Sequence, residues 1–346
     1  MPADEVRLEV AGQRLTGFSG ITITMAIDSL ADAFSLTMPY DPERTDIRAA
    51  FKPFGYTPCK VYLDDDTLLT GRIEKFAPKS DAGDRSVTVE GRSLTGILVD
   101  CGIADVSQID KLTLEGIASK LCNPFKIVVV VDGPDRALMK QIEVSRPEPG
   151  QTVADFLNSI ASPRNFFLNS TFQGGLRISS SNRLAMEAPV ATLREGEKPL
   201  LAVSASYDGT KRFSVYNVSA QFAGQPDILG HADDSAIPLL RPTFISAKDM
   251  DPDPGATAKR AYMEATAAAI PITATVSGWR TPGGERWHER QSVSLLAPGA
   301  MLTTERRYLI AEATFKLDAQ NGKTVDLRLV MAECYQGKPI KEDPWA

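Results

Sequence analysis

The chain has 346 residues, a formal net charge of −6 and a pI near 5.2. Apolar residues make up 43% of it and charged residues 24%, which is ordinary for a globular protein and excludes intrinsic disorder and a fibrous repeat. At roughly 150 residues per domain, this length predicts two to three domains. Because 44 acidic residues outweigh 38 basic ones, a partner held mainly by its phosphate charge is not indicated.

Alternation of apolar and polar residues with a period of two dominates the chain and predicts a mainly β fold. The 25 glycines and 23 prolines point the same way, because they favour turns. The apolar runs, in chain order, are Val6, Leu8, Val10; Ile21, Ile23, Met25, Ile27; Phe34, Leu36, Met38; Val87, Val89; Leu176, Ile178; Phe213, Val215; and Val325, Leu327, Leu329, Met331. Between two further apolar runs, Asp64-Asp65-Asp66 predicts a hairpin tip with solvated charges rather than a cation site.

Three segments predict helices that pack on this β scaffold, because each carries a single apolar stripe. The first covers 114–121, where apolar residues recur at helical spacing. The second covers 153–160, with Thr152 as a plausible N-cap and Asp155 three residues further on. The third is rich in alanine and covers 256–269.

No catalytic, cofactor-binding or metal-ligating residue is predicted. His231 and His288 are the only histidines, so a Ser-His-Asp triad would have to use one of them, and no G-x-S-x-G elbow is present. The segment Gly91–Gly96 misses that motif by one residue, and neither a P-loop nor a G-x-G-x-x-G sequence occurs. The cysteines lie far apart without C-x-x-C spacing, which indicates buried reduced thiols: Cys59, Cys101, Cys122 and Cys334.

The best candidate for a metal site is the trio Asp249, Asp251 and Asp253, which matches the first, third and fifth positions of a calcium loop. Pro254 stands where that loop needs glycine, and Arg260 stands where it needs glutamate. Acidic residues that precede the N-terminus of the third predicted helix explain the pattern better. Whether the trio binds a cation stays open at this stage.

The segment Val276–His288 is the most informative local feature. Pro282-Gly283 suits the centre of a type II turn. A loop centred on Gly283 puts Trp279 directly across the ladder from Trp287, as a structural aromatic pair. A tryptophan platform that binds a sugar is the functional alternative.

Several segments, taken together, resemble the baseplate hub family of contractile-tailed phages, the Mu-like tail proteins related to late control protein D. None of them is a catalytic motif, and in order they extend over nearly the whole chain. They are Leu8–Leu15, Ser29–Leu36, Leu69–Glu74, Val89–Leu94, Leu98–Cys101, Pro149–Thr152, Ser277–Arg280, Arg286-Trp287 and Tyr308–Ala311. Glu195–Ala205 and Asp249–Gly255 match the family poorly.

The resemblance implies a multi-domain protein, mainly β with small α+β insertions, that contains tube-type β-barrel domains. A first barrel is expected over 1–100, and an α+β domain with two short helices over 101–195. A second tube-type domain is expected over 196–346, with the helical insertion near 256–269. No cofactor and no enzymatic activity are implied.

The implied function is that of the structural hub of a contractile phage tail or tail-like particle. The subunits would form a homotrimeric ring that joins the tail tube protein to the central spike protein and contacts other baseplate wedge proteins. DNA would pass through without tight binding, and the one basic-aromatic cluster, Arg286 and Arg290 beside Trp287, is expected to brace the fold. The alternatives are a tail-associated cell-wall hydrolase and a carbohydrate-binding module.

The N-terminal residues Met1–Glu5 are acidic where a signal peptide would be basic. The longest aliphatic run, Ile127 to Val131, is far shorter than the roughly 20 residues that cross a bilayer. We therefore expect assembly in the host cytoplasm and no membrane anchor. The resemblance implies a final location in the baseplate of the virion tail.

Overall fold

The computed structural model describes residues 4–45, 50–83, 85–103, 109–142, 146–180, 188–222, 225–246, 253–331 and 333–334. Within these ranges strands far outnumber helices, so the mainly β prediction is confirmed. The strands are β1 Val6–Val10, β2 Gln13–Leu15, β3 Gly20–Ala26, β4 Ala33–Pro39, β5 Pro58–Leu63, β6 Asp66–Ser80, β7 Arg85–Ser93, β8 Val129–Val131, β9 Phe166–Ser170, β10 Leu176–Ser180, β11 Ala191–Arg194, β12 Leu200–Ala205, β13 Val215–Phe222, β14 Gln225–Asp233, β15 Pro242–Ser246, β16 Ile272–Ser277, β17 Ser292–Ala297, β18 Leu302–Asp318 and β19 Gly322–Met331. The helices are α1 Gly96–Asp100, α2 Leu114–Cys122, α3 Gly133–Arg136, α4 Val153–Ala161 and α5 Pro254–Ala269.

Thirteen of the described strands form one sheet. Its main path runs β12-β16-β19-β18-β3-β4-β7-β6-β5-β1-β2, and β17 and β11 branch from β18. The first half of β18 pairs with β17, its second half pairs with β3, and β19 follows it along most of its length. Strands from the two ends of the chain therefore belong to one sheet.

The predicted tube-type barrels are not closed by hydrogen bonds among the described strands. The path of the large sheet has two free ends, β12 and β2. β12 pairs with β16, and β2, a strand of three residues, pairs with β1. No ladder of hydrogen bonds joins β12 to β2 among the described strands. The sheet that these strands form therefore stays open within one subunit.

The main core lies on one face of the large sheet, as the period of two requires. In β3, Ile21, Ile23 and Met25 are buried, whereas Thr22 and Thr24 point to the opposite face. The same alternation recurs in β4, β7, β16 and β19. Each fully buried aliphatic side chain stabilises the fold by about 1.5–3 kcal/mol relative to an exposed one, so local sequence pattern and core position agree.

A second core forms around α2, α4 and the three-stranded sheet β8-β10-β9. Both helices were predicted at these positions. Thr152 is the N-cap of α4, because its side chain accepts a hydrogen bond of 3.1 Å from the backbone N–H of Asp155. Leu30, from the turn between β3 and β4, is buried in this second core, so the N-terminal strands are anchored to it.

The alanine-rich helix predicted at 256–269 is α5, which begins two residues earlier than expected. Asp253 sets this start, because its side chain accepts a hydrogen bond of 3.0 Å from Ala256 N. α5 covers one face of the third sheet, β14-β13-β15, where the rings of Tyr216 and Tyr262 meet at 5.8 Å. This small unit lies beside the C-terminal strands of the large sheet.

The cysteines are free thiols, as predicted. Cys59, Cys122 and Cys334 are buried, and burial raises the pKa of each of these thiols to about 12. Cys101 is partly exposed, so the prediction of burial is wrong for this cysteine. Among the helices in the described ranges, none combines the length and apolar character needed to cross a bilayer.

Candidate functional site

The segment Trp279–Arg290, named here the tryptophan hairpin, turns back on itself through a three-residue loop. Thr281 N donates to Glu285 O at 2.6 Å, and Gly284 N donates to Thr281 O at 2.9 Å. The left-handed residue is Gly284, with φ of 88°, so the predicted type II turn with Gly283 in that conformation is wrong. A tight turn followed by a left-handed glycine instead matches the twist of the hairpin.

The predicted register of the hairpin is confirmed. Arg280 and Arg286 form a β-bridge, and Trp287 N donates to Trp279 O at 3.3 Å, so the two tryptophans lie opposite each other. Trp279 is 1% exposed and Trp287 is 0% exposed. Because neither ring has a face open to solvent, the alternative of a tryptophan platform for a sugar is wrong.

Trp279 is fixed by hydrogen bonds as well as by packing. Its Nε1 donates to Lys316 O at 3.1 Å and to Thr324 O at 3.2 Å. Its ring meets Phe315 edge-on, with centroids 6.3 Å apart and planes inclined at 67°. Trp287 differs, because its buried Nε1 has no hydrogen-bond partner in the described part of the chain. The first tryptophan therefore ties the hairpin directly to β18 and β19.

Arg280 ties the hairpin to the N-terminal strands. Its guanidinium contacts Asp4 Oδ1 at 3.0 Å, Asp64 Oδ2 at 2.8 Å and Asp66 Oδ2 at 3.5 Å. Burial alone would raise the pKa of Asp64, but hydrogen bonds from Glu5 N and Arg280 outweigh it and lower that pKa. The hairpin tip between β5 and β6 is confirmed, whereas the interpretation of Asp64 as a solvated charge is wrong.

Arg286 and Arg290 brace the same junction from the other strand of the hairpin, as predicted. Arg286 Nη1 donates to Thr67 O at 2.8 Å, and its guanidinium lies 3.9 Å over the ring of Phe172. Arg290 Nη1 donates to Ser179 Oγ at 2.9 Å. Burial lowers the pKa of both guanidinium groups, although arginine stays charged in proteins. The hairpin thus contacts the N-terminal, middle and C-terminal parts of the chain.

The two histidines lie in separate places. His231 Nδ1 lies 3.0 Å from Asn217 Oδ1, and its Nε2 lies 2.9 Å from Asp233 Oδ2. His288 Nδ1 lies 2.5 Å from Glu289 O. Neither ring contacts a serine hydroxyl in the described ranges, so the geometry of a nucleophilic triad is not assembled there.

The acidic residues considered for a calcium loop are divided between described and undescribed residues. Asp253 caps α5, which agrees with the helix-terminus interpretation of that residue. Asp249 and Asp251 lie outside the described residues. Within the described ranges no group of three or more histidine, cysteine, aspartate or glutamate side chains could hold a metal ion.

Comparison with known proteins gives matches to baseplate proteins along the chain. The family model for the N-terminal domain of the Mu phage baseplate assembly protein GpP-like family matches residues 5–93. The model for the second domain of the gp44-like baseplate hub proteins matches residues 95–180. The baseplate hub protein gp44 of Escherichia phage Mu is 28% identical, over 99% of this chain and 91% of its own length.

Two solved structures share the fold. The 43 kDa tail protein of prophage MuSo2 from Shewanella oneidensis superposes with a TM-score of 0.81 at 24% identity, over 97% of this chain and all of its own. A type VI secretion component of Escherichia coli, described as similar to the T4 bacteriophage tail proteins gp27 and gp5, has a TM-score of 0.60. That component is 10% identical over 96% of this chain and 79% of its own.

The expected hub family thus accounts for the mainly β fold, for the two consecutive domain matches and for a hairpin whose aromatic and basic residues serve packing. A structural rather than an enzymatic role follows from these relatives. The chain is similar to the Mu-like phage baseplate hub proteins over 99% of its length, and this similarity supports a baseplate hub role.

Proposed function

We propose that this baseplate hub acts as a homotrimeric ring that joins the tail tube to the central spike and contacts the surrounding baseplate wedge proteins. The observation that carries the proposal is the single sheet that connects N-terminal to C-terminal strands through β3 and β18. Such a sheet holds both halves of a subunit in fixed relation, as a ring segment requires. The fold shared with a secretion component that is described as similar to T4 tail proteins adds support.

The subunit in this proposal has three parts, namely a tube-type domain over 1–100, an α+β domain over 101–195 and a second tube-type domain over 196–346. Support for the first border comes from the two family models, which meet between residues 93 and 95. The second core, built around α2 and α4, lies within the middle part apart from Leu30 and Leu98. The tryptophan hairpin acts as the brace that all three parts share.

The proposed ring closes through two unlike edges of the large sheet, namely β12, at one end of its path, and the part of β6 that extends beyond β5. β12 carries no charged residue, pairs with β16, and leaves Leu201 52% exposed. On β6, residues 74–80 pair with β7 but extend past the end of the β5 ladder at Arg72. Contacts between unlike surfaces generate rings when the rotation closes, so β12 of one subunit would meet β6 of the next.

The trimer predicts a particle of about 112 kDa, three times the 37.5 kDa chain, in light scattering at micromolar concentration. Leu201→Lys places a charge on the β12 edge and should shift the particle towards the monomer mass. Leu138→Lys is the matched control, because both leucines are 52% exposed. A wild-type monomer at this concentration, or equal behaviour of the two variants, would contradict the proposed ring closure.

The lumen of the ring is proposed to be the polar face of the large sheet. Hydroxyl side chains dominate this face, opposite the main core: Thr22, Thr24, Ser35, Thr37, Thr88, Thr273, Thr275 and Thr314. Several of its cations are paired with carboxylates, as Lys316 is with Asp326 at 2.6 Å and Lys75 with Glu90 at 3.1 Å. Paired cations release few counterions from a phosphate backbone, so DNA would slide past this face.

Duplex DNA should therefore not be retained below about 1 µM protein in gel-shift titrations at about 50 mM salt, where electrostatic binding is exaggerated. A variant with Glu90→Lys and Asp326→Lys leaves Lys75 and Lys316 unpaired and adds two cations. It should retain the duplex with a steep salt dependence. Sub-micromolar retention by the wild-type protein would overturn the non-binding lumen.

A further inference from the structure

Two carboxylic side chains are buried where the N-terminal, middle and C-terminal parts meet. Asp32 lies in the turn between β3 and β4 and is 5% exposed, and Glu289 of the tryptophan hairpin is 4% exposed. The backbone of Asp32 is bound on both sides by Ser93, since its N–H donates to Ser93 Oγ at 3.1 Å and its C=O accepts from Ser93 N at 2.9 Å. Its carboxyl group accepts hydrogen bonds from the backbone N–H of Ala26 and from the side chain of Ser170 in β9.

Glu289 is poorly compensated in its buried position. Its Oε2 has no hydrogen-bond partner in the described part of the chain. Among the described residues, the backbone N–H of Glu289 itself is the one hydrogen-bond donor to this carboxyl group. An ionised carboxylate with so little compensation in the interior is costly, and such a group takes up a proton instead. Burial, reinforced by the charge of Glu289, raises the pKa of Asp32, and burial likewise raises the pKa of Glu289.

The neighbouring cations are engaged elsewhere. The titratable groups that act on Glu289 besides Asp32 are His288, Arg286 and Arg290. The guanidinium of Arg286 donates to Thr67 O and lies over the ring of Phe172. Arg290 donates to Ser179 Oγ. Neither carboxyl group forms an ion pair with them within the described ranges, so the arginines lower the pKa of both acids by less than burial raises it.

We propose that Asp32 and Glu289 form a proton-operated latch between the three parts of the subunit. With a proton on the pair, the interior stays neutral and the junction stays closed. Loss of the proton creates uncompensated negative charge that pushes the turn between β3 and β4 away from the hairpin. The latch lies within one chain, so it does not depend on the proposed ring.

The direction of the pH dependence follows from the raised pKa values. A carboxyl group that binds its proton more tightly when folded adds stability below its unfolded pKa, about 4 for either residue. That stability is lost as the pH rises through the folded pKa. Junction stability should therefore fall with rising pH above about 4, which is opposite to the behaviour of ion-paired carboxylates such as Asp64.

The test measures thermal unfolding of the wild-type chain and Glu289→Gln between about pH 4 and 8. Gln keeps the shape but cannot ionise, so its melting temperature should exceed that of the wild type by about 2–4 °C or more at the upper end, with a smaller difference at the lower end. Glu285→Gln is the matched control, because this exposed carboxylate lies in the same hairpin. Curves that stay parallel for wild type and Glu289→Gln would overturn the latch.

Infrared spectroscopy supplies a second readout that needs no stable variant. In the wild-type chain, the carbonyl stretch of a protonated carboxylic acid should persist at pH values well above the titration of exposed carboxylates and vanish only at higher pH. Asp32→Asn or Glu289→Gln should reduce that band, whereas Glu285→Gln should leave it. Complete ionisation of all carboxyl groups by about pH 5 in the wild type would contradict the proposal.

Discussion

Trp279→Ala should lower the free energy of unfolding by about 3–5 kcal/mol, the range measured for removing a large aromatic side chain from a core. The ring is 1% exposed and meets Phe315 edge-on, so truncation leaves a large cavity beneath β18 and β19. It also removes the donor to Lys316 O and Thr324 O. The loss should appear as an earlier transition in urea, followed by far-ultraviolet circular dichroism.

Substitution by phenylalanine separates packing from hydrogen bonding at the two tryptophans. Trp279→Phe should cost more than Trp287→Phe, because the buried Nε1 of Trp287 has no described partner to lose. Phe54→Ala serves as the aromatic control, since Phe54 is 93% exposed and should change stability by no more than about 0.5 kcal/mol. Equal costs for the two phenylalanine variants would show that the hydrogen bonds of Trp279 contribute little.

Local pattern predicted most of the elements because strands and short helices encode their buried face in neighbouring residues. β3 is an example, as its buried Ile21, Ile23 and Met25 alternate with threonines. The register of the tryptophan hairpin was predictable for the same reason, since the loop and both strands lie within twelve residues. The conformation of its turn was not, because Gly283 and Gly284 are both able to take positive φ.

Contacts between residues far apart in the chain could not be predicted from the sequence pattern. Arg280 meets Asp4 and Asp64 across separations of 276 and 216 residues, and nothing in the local pattern distinguishes these aspartates from solvated ones. The pairing of β3 with β18 is equally distant in sequence. The alternation of apolar and polar residues is compatible both with two separate domains and with one continuous sheet, and only the pairing of β3 with β18 distinguishes them.

The buried acids were missed for a related reason. Glu289 stands among polar neighbours in the sequence, and Asp32 stands at the start of a predicted strand beside a serine and two alanines. Aspartate and glutamate are usually exposed, so nothing in the sequence marks either residue as buried. Their burial arises because three parts of the chain converge on the turn between β3 and β4, with Leu30 reaching the second core beside it. This convergence exists only in the tertiary structure. The spacing of residues in the sequence therefore does not reveal that the two acids are buried.

β6 and β7 approach each other more closely than side chains would allow. A Cβ atom at Gly91 would lie 2.1 Å from Arg72 O and 2.7 Å from the ring of Phe34, and one at Gly71 would lie 2.0 Å from Arg92 O. The ladder shifts register directly beyond the pair of Ile73 with Gly91, between Ile73 and Lys75. Only glycine therefore fits at both positions. The atoms that a Cβ would meet first belong to the backbone, and backbone atoms cannot move aside as the end of a flexible side chain can.

Gly91→Ala should consequently destabilise the N-terminal strands by about 2–3 kcal/mol, at the upper end for overpacking, because the methyl group has to displace either β6 or the ring of Phe34. Any entropic gain from replacing glycine, about 0.4–1 kcal/mol, offsets only part of this cost. Gly83→Ala is the matched control, since a Cβ atom there meets nothing within 4 Å. The free energies of unfolding of the two variants, measured in urea, should differ by more than about 1.5 kcal/mol. This is roughly the cost of overpacking minus the small effect of a neutral surface substitution. An unchanged midpoint for Gly91→Ala would mean that β6 and β7 can separate freely, and the sheet could not then hold the two halves of the subunit in fixed relation.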